Sequence, residues 1–256
     1  MKKILYTGAG GGISREVIKN IKNKYYIYVG VHTEKQLELQ KEKYKNNKNI
    51  EVIKLDLLNK NDIEKIKTLD IDILISNAAI GHGGSLLEIP IDKIKETYEV
   101  NIFKNIELIQ IVIKNMIKKG NGKIIIMSSL SGIIPPKFIG AYSSTKAALI
   151  NIAKVLKNEL KLINKNIQIS LIEPGMYKTG FNEIMLEEKY EIKDTLFKEE
   201  LETIRKKENL FWNLFEYNNK KSIVKQIIKS LEENKFIYSA PKSQRIIAKL
   251  YQIIKD

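Results

Sequence analysis

Short runs of β-branched and aromatic residues recur along the chain at Lys3–Tyr6, Tyr25–Val31, Ile50–Leu55, Ile71–Ser76, Lys123–Met127, Ile167–Ile172 and Phe236–Tyr238. Between them, apolar positions step by three and four, most clearly over Ile91–Lys119, where Ile94, Tyr98, Ile102, Ile106, Ile109, Ile113 and Ile117 mark one stripe. That spacing predicts one long helix. A second amphipathic helix is predicted over Ala147–Ile163, carried by Leu149, Ile152, Ala153, Leu156, Leu160 and Ile163. Strands alternating with helices build βαβ units, so the expected fold class is α/β, a doubly wound parallel sheet with helices on both faces. No linker, repeat or low-complexity tail divides the chain, and a single domain over 1–256 is expected. The two long helices would keep apolar edges suited to a subunit interface, which predicts a homodimer or homotetramer.

One stretch breaks the alternation. The segment 180–221 is far longer than an ordinary connection and carries Phe181, Met185, Leu186, Phe197, Leu201, Ile204, Phe211, Trp212, Leu214 and Phe215. It predicts a helical insertion before the last strand, either completing the core or covering a hydrophobic substrate. After Ser239-Ala240-Pro241 the chain continues into an amphipathic segment, Ser243 to Ile254.

Composition removes whole classes of chemistry. The 256 residues include no cysteine, which excludes a thiol nucleophile, a disulfide framework and Cys-ligated metal. His32 and His82 are the two histidines, so no metal site is expected. A net charge of +14 invites a nucleic-acid reading, because lysine and arginine neutralise phosphates. Arginine, however, occurs only at Arg15, Arg205 and Arg245, and the lysines spread along the whole chain, so no nucleic-acid partner is expected. The basic start Met1-Lys2-Lys3 is followed by an apolar stretch that breaks at Thr7-Gly8, and no run approaches the ~18 apolar residues of a membrane span. A cytoplasmic protein with no membrane span is the expectation.

Two local features carry chemistry. The first strand runs into Thr7-Gly8-Ala9-Gly10-Gly11-Gly12-Ile13-Ser14-Arg15, and a helix comes next. A glycine-rich turn at that place lets backbone N–H groups, here of Gly8, Gly10, Gly12 and Ile13, approach a pyrophosphate, as in a Rossmann dinucleotide fold. The second feature is Tyr142 with Lys146, four residues apart and so on one helix face. Tyr44/Lys48, Tyr217/Lys221, Tyr238/Lys242 and Tyr251/Lys255 repeat that spacing, so it gains meaning only from its surroundings. These are a buried-type strand ending in Ser128-Ser129, then Pro135-Pro136, then the tyrosine.

In that order and spacing the residues resemble the short-chain dehydrogenase/reductase family over nearly the whole chain. Thr7, Gly8 and Gly12 match its coenzyme loop, with Ser14 where a third glycine is usual. The resemblance implies that Asp56 contacts the adenine ring and that Asn77-Ala78-Ala79 ends the fourth strand beside the coenzyme. It likewise implies that Pro174, Gly175 and Thr179 hold the nicotinamide carboxamide. It makes Asn101, Ser129, Tyr142 and Lys146 a catalytic tetrad, in which Tyr142 moves the proton, Ser129 orients the substrate oxygen and Lys146 also bonds the nicotinamide ribose. Asn101, at a helix distortion, would hold a relay water. Bringing a tyrosine from about 10 to about 7 takes about 4 kcal/mol. An ammonium about 5 Å away supplies about 3 kcal/mol at an effective dielectric of 20, so Lys146 is expected to do most of it.

The implied reaction is hydride transfer between a nicotinamide coenzyme and a carbonyl or alcohol of a lipophilic small molecule. The second strand ends Val29-Gly30-Val31-His32-Thr33 with no acidic residue to repel a 2′-phosphate, and His32, Thr33, Lys35 and Arg15 could approach one. NADP is therefore expected ahead of NAD. The alternatives are a 3-oxoacyl-carrier-protein reductase, served by the basic surface, and a non-catalytic dinucleotide-binding regulator.

Overall fold

The computed structural model describes residues 1–163, 166–188 and 195–255, without the side chains of a few positions in the insertion. Its seven parallel strands are β1 (Lys3–Tyr6), β2 (Tyr26–Val31), β3 (Ile50–Lys54), β4 (Ile73–Ser76), β5 (Gly122–Met127), β6 (Ile167–Pro174) and β7 (Ile237–Ala240), ordered β3-β2-β1-β4-β5-β6-β7. Both neighbours of β1 pair through their own isoleucines, with Ile4 opposite Ile27 and Ile73. A strand covered on both faces has no polar side, which is why Ile4, Leu5 and Tyr6 are all fully buried.

Helices α1 (Gly12–Ile21) and α2 (Glu34–Tyr44) cover one face, joined there by a helix over Lys221–Glu232. Val17, Ile18, Ile223 and Ile227 close that face against Ile4, Tyr6, Ile27 and Val29. The other face packs Leu5, Leu74, Ile124 and Ile126 against α3 (Lys60–Ile66) and the longer helices that come after it.

The expected single helix over Ile91–Lys119 is not continuous. It divides into α4 (Ile91–Tyr98), a π-helical turn over Glu99–Lys104 and α5 (Asn105–Lys119). Two side-chain amides account for the widened turn. Asn101 bonds the Ile80 N–H and carbonyl at 2.9 and 2.8 Å, and the Asn105 amide donates to the carbonyls of Val100 at 2.8 Å and Ala78 at 3.0 Å. The wider turn rotates the helix beyond it, so α5 buries Leu108, Ile109, Val112 and Met116 while Ile117, on the expected stripe, is exposed. The second predicted helix starts earlier than its apolar stripe, as α6 (Gly140–Ile163).

The insertion contains α7 (Phe181–Glu188) and α8 (Leu201–Phe215), after which come α9 (Lys221–Glu232) and, beyond β7, α10 (Lys242–Lys255). Within it, positions 189–194 and the side chains of Leu186, Leu201, Phe211 and Trp212 lie outside the described residues. Thr195 donates to Glu88 at 3.0 Å, which fastens the far side of the insertion to the loop after β4.

Candidate active site

The loops leaving β1, β4, β5 and β6 meet where the strand order reverses beside β1, the place at which open α/β sheets hold ligands. A cavity of about 680 Å³ runs there, from Leu55–Leu58 past the glycine loop to Tyr142. Gly8 takes φ +61°, and a Cβ on it would lie 2.8 Å from the Ala78 Cα, so no other residue fits. Thr7 fixes the same junction by accepting the N–H groups of Asn77 and Ala78, both at 2.9 Å. Asn77 returns two bonds, donating to the carbonyls of Thr7 at 2.9 Å and Gly8 at 3.1 Å. Its amide thus shapes the loop, while the residue also lines the cavity.

The start of α1 has no side-chain cap, which leaves its first backbone N–H groups directed to the cavity that Gly10, Gly12 and Ile13 line. Ser14 donates to the Gly11 carbonyl at 2.9 Å and is buried, so the serine in the third glycine's place braces the loop from within. These features fit the pyrophosphate of a dinucleotide. At the adenosine end, Asp56 and His32 both line the cavity, and Asp56 accepts the Leu58 N–H at 3.0 Å. The His32 N–H donates to Gln36 Oε1 at 3.2 Å, and the Gln36 side chain lies against Gly10. Thr33, expected near a 2′-phosphate, instead caps α2, its hydroxyl accepting the Gln36 N–H at 3.1 Å.

At the other end, Ser129 comes after β5, and Tyr142 and Lys146 lie on one face of α6. The Lys146 ammonium sits 5.3 Å from the centre of the Tyr142 ring and donates to the Met127 carbonyl at 3.0 Å. Burial lowers the Lys146 pKa to about 8. Burial also pushes the Tyr142 hydroxyl up, with the Ser129 hydroxyl pulling the other way. Of these two influences on the Tyr142 hydroxyl, desolvation is the larger. Ser129 accepts from the N–H and the hydroxyl of Ser131, at 3.1 and 3.0 Å, and so caps a short 3₁₀ turn as well as lining the cavity. Asn101 is fully buried with its amide committed to Ile80 and, at 3.1 Å, to Thr145, so the side chain braces the site. Pro174, Gly175 and Thr179 line the cavity too, with the Thr179 backbone lying against Gly12 of the glycine loop.

The sequence pattern described as short chain dehydrogenase matches residues 2–189. The chain belongs to that family. It is 29% identical over 197 residues to a probable short-chain type dehydrogenase/reductase, VdlC, of Helicobacter pylori, covering 75% of this chain and 70% of that one. It is 27% identical over 192 residues to an NADPH-dependent 3-dehydrocapnine reductase of Ornithobacterium rhinotracheale, covering 70% and 66%. An oxidoreductase of Bacillus subtilis is matched over 39% of its own length. A short-chain dehydrogenase/reductase of Burkholderia phymatum solved in complex with NAD superposes with a TM-score of 0.82 at 17% identity, over 99% of this chain and 94% of that one. As a short-chain dehydrogenase/reductase, the chain is an NAD(P)-dependent oxidoreductase.

Several residues of this short-chain dehydrogenase site belong to no motif, although Phe181 and Met185 lie in the insertion for which a substrate-covering role is one expectation. Gly132 lets the 3₁₀ turn lie against α6, since a Cβ there would come within 2.7 Å of the Lys146 and Ala147 backbone. Phe181 of α7 packs its ring 5.4 Å from that of Tyr142, and Met185 lies against both Gly81 and the bottom of the cavity. The imidazole of His82 faces the Glu188 carboxylate at 3.1 Å and the Glu96 carboxylate at 3.0 Å, joining α7 to α4. Gln244 and Ile247 bring α10 to the rim. Only long-range packing unites these residues, and no local spacing announces them. Among the described residues no group of His, Asp and Glu is placed to hold a metal ion, and no helix is long and apolar enough to cross a membrane.

Proposed function

We propose that the chain transfers a hydride between NADP(H) and a carbonyl or secondary alcohol of a lipophilic small molecule, within one domain spanning 1–256. The observation that carries this is the convergence of Ser129, Tyr142 and Lys146 on one wall of the cavity whose other end is the glycine loop. The coenzyme, when bound, supplies or accepts the hydride. Gly8, Gly10, Gly12 and Ile13 hold its pyrophosphate, Asp56 and His32 its adenosine, and Asn77, Pro174, Gly175 and Thr179 border its nicotinamide half. Tyr142 gives its phenolic proton to the substrate oxygen, or takes it in the reverse direction, and Ser129 donates a hydrogen bond to that oxygen. The buried Lys146 ammonium steadies the phenolate that remains and bonds the nicotinamide ribose, while Asn101 holds the π-helical turn through which protons are resupplied. Ile134, Pro136, Ile139, Phe181, Met185 and Phe215 make the substrate end largely apolar, which supports a lipophilic substrate.

Two measurements test the reading. A coenzyme-consumption screen over ketones and aldehydes, with and without a carrier-protein thioester, identifies a substrate. On that substrate Tyr142→Phe should lose about 10²–10⁴-fold in turnover with an unchanged melting temperature, whereas Tyr217→Phe should be near wild type. Wild-type turnover in Tyr142→Phe would return the chain to a regulator's role. The NADP preference rests on the missing carboxylate at His32. Fluorescence titration should give tighter binding of NADPH than NADH, and NADH binding tighter by about tenfold, or about 1.4 kcal/mol, would reverse it.

A further inference from the structure

Helix α10 is amphipathic in an unusual sense. Ala248 is buried against the body, and Gln244 bonds the Met176 N–H and the Phe215 carbonyl, so these two define the inward side. The aliphatic stripe lies on the other side. Ile246, Leu250 and Ile253 recur at helical steps with Ile254 beside them, and Ile253 and Ile254 are 72% and 81% exposed. A soluble protein that turns the apolar face of its helix outward marks an interaction surface. Exposed Leu210 and Leu214 of α8 add to the apolar surface, and Ile247 and Phe215 carry it to the cavity rim.

Charge decides what covers this face. Between Lys242 and Lys255 the helix has Lys242, Arg245, Lys249 and Lys255 and no carboxylate, in a chain of net charge +14. A second copy laid on the same face would set like charges against each other. An aliphatic stripe flanked by lysine and arginine is the pattern of a helix lying in the interface of a bilayer with anionic headgroups. We infer that α10, with the end of α8, docks the protein on an anionic membrane surface. The mouth of the cavity then faces the lipid, so that an apolar substrate enters from the bilayer. The docking stands on the surface alone, and only the route of substrate entry rests on the proposed reaction.

The test is flotation of the full chain with vesicles of phosphatidylcholine, alone or mixed with phosphatidylglycerol, read without substrate. The wild type should float with the mixed vesicles and bind pure phosphatidylcholine about tenfold more weakly. Leu250→Ser/Ile253→Ser/Ile254→Ser should abolish flotation while retaining turnover on a short, water-soluble carbonyl compound. Lys242→Glu/Lys249→Glu, two changes at exposed positions, should remove the preference for phosphatidylglycerol and guards against a misfolded serine variant. The inference is overturned if the wild type stays with neither vesicle, or if the serine variant floats as well as wild type. It is overturned equally if the chain binds a purified acidic acyl carrier protein in place of vesicles, or if the serine changes dissolve an oligomer that never floated. Because flotation needs no turnover, an inactive protein that floats would sink the proposed reaction and leave the docking standing.

Discussion

At neutral pH the Lys146 side chain is held out of water with the Met127 carbonyl as its bonding partner, and burial keeps its pKa at about 8 against 10.5 for an ordinary lysine. Between pH 8 and 10.5 the unfolded chain binds a proton that the folded one lacks, so this residue makes stability rise with pH across that window. Below pH 8 both states are protonated and the full cost of burial is present. Lys146→Met should therefore abolish turnover yet raise stability at pH 7, by an amount of the order of 2 kcal/mol after the lost hydrogen bond is subtracted. The rise toward pH 10.5 should become shallower without vanishing, because burial lowers Lys123 to about 8 as well. Denaturant titrations of both proteins across that range measure it, and equal stability at pH 7 would mean that Lys146 is neutral or hydrated in the native state.

Helix α7 depends on a residue outside itself. Both ring nitrogens of His82 face carboxylate oxygens, Glu188 on α7 and Glu96 on α4, and Glu188 also accepts the Gly83 N–H at 3.1 Å. His82→Ala should loosen α7 above Tyr142 and raise KM several-fold with kcat little changed, as steady-state kinetics on the identified substrate will show. A matched fall in kcat would instead give His82 a part in the chemistry. Such cross-element ties mark the limit of what the sequence makes legible. The central strands β1, β4 and β5 stand out as apolar runs because a strand buried on both faces has few polar positions to obscure it, whereas the edge strand β3, with Glu51 exposed, is marked by Ile50, Val52 and Ile53 alone. Ser129, Tyr142 and Lys146 are marked by order and spacing together, since four other Tyr/Lys pairs share the four-residue step by itself. The π-helical turn is hidden from periodicity because its cause is two asparagine amides reaching the loop after β4, and the burial of α5 shifts with it.

The cavity is lined by residues from the loop after β1 through to α10, so a ligand that fills it would bridge elements far apart in sequence. Coenzyme at about 100 times its Kd should stabilise the protein by about 2.7 kcal/mol and raise a single melting transition by about 5–10 °C. A second transition that ignores coenzyme, seen by calorimetry, would divide the chain into two folding units. The central place of β1 also bears on how the molecule is made. As the chain leaves a ribosome, β1 appears before β4, for which one of its edges must wait, and the bonds that set its glycine loop wait for Asn77 and Ala78. Lys146 and the lysines of α10 come later still. The nascent protein thus carries an open apolar strand edge until residues 73–76 have emerged, which makes the interval between β1 and β4 a time when a chaperone has an exposed edge to protect.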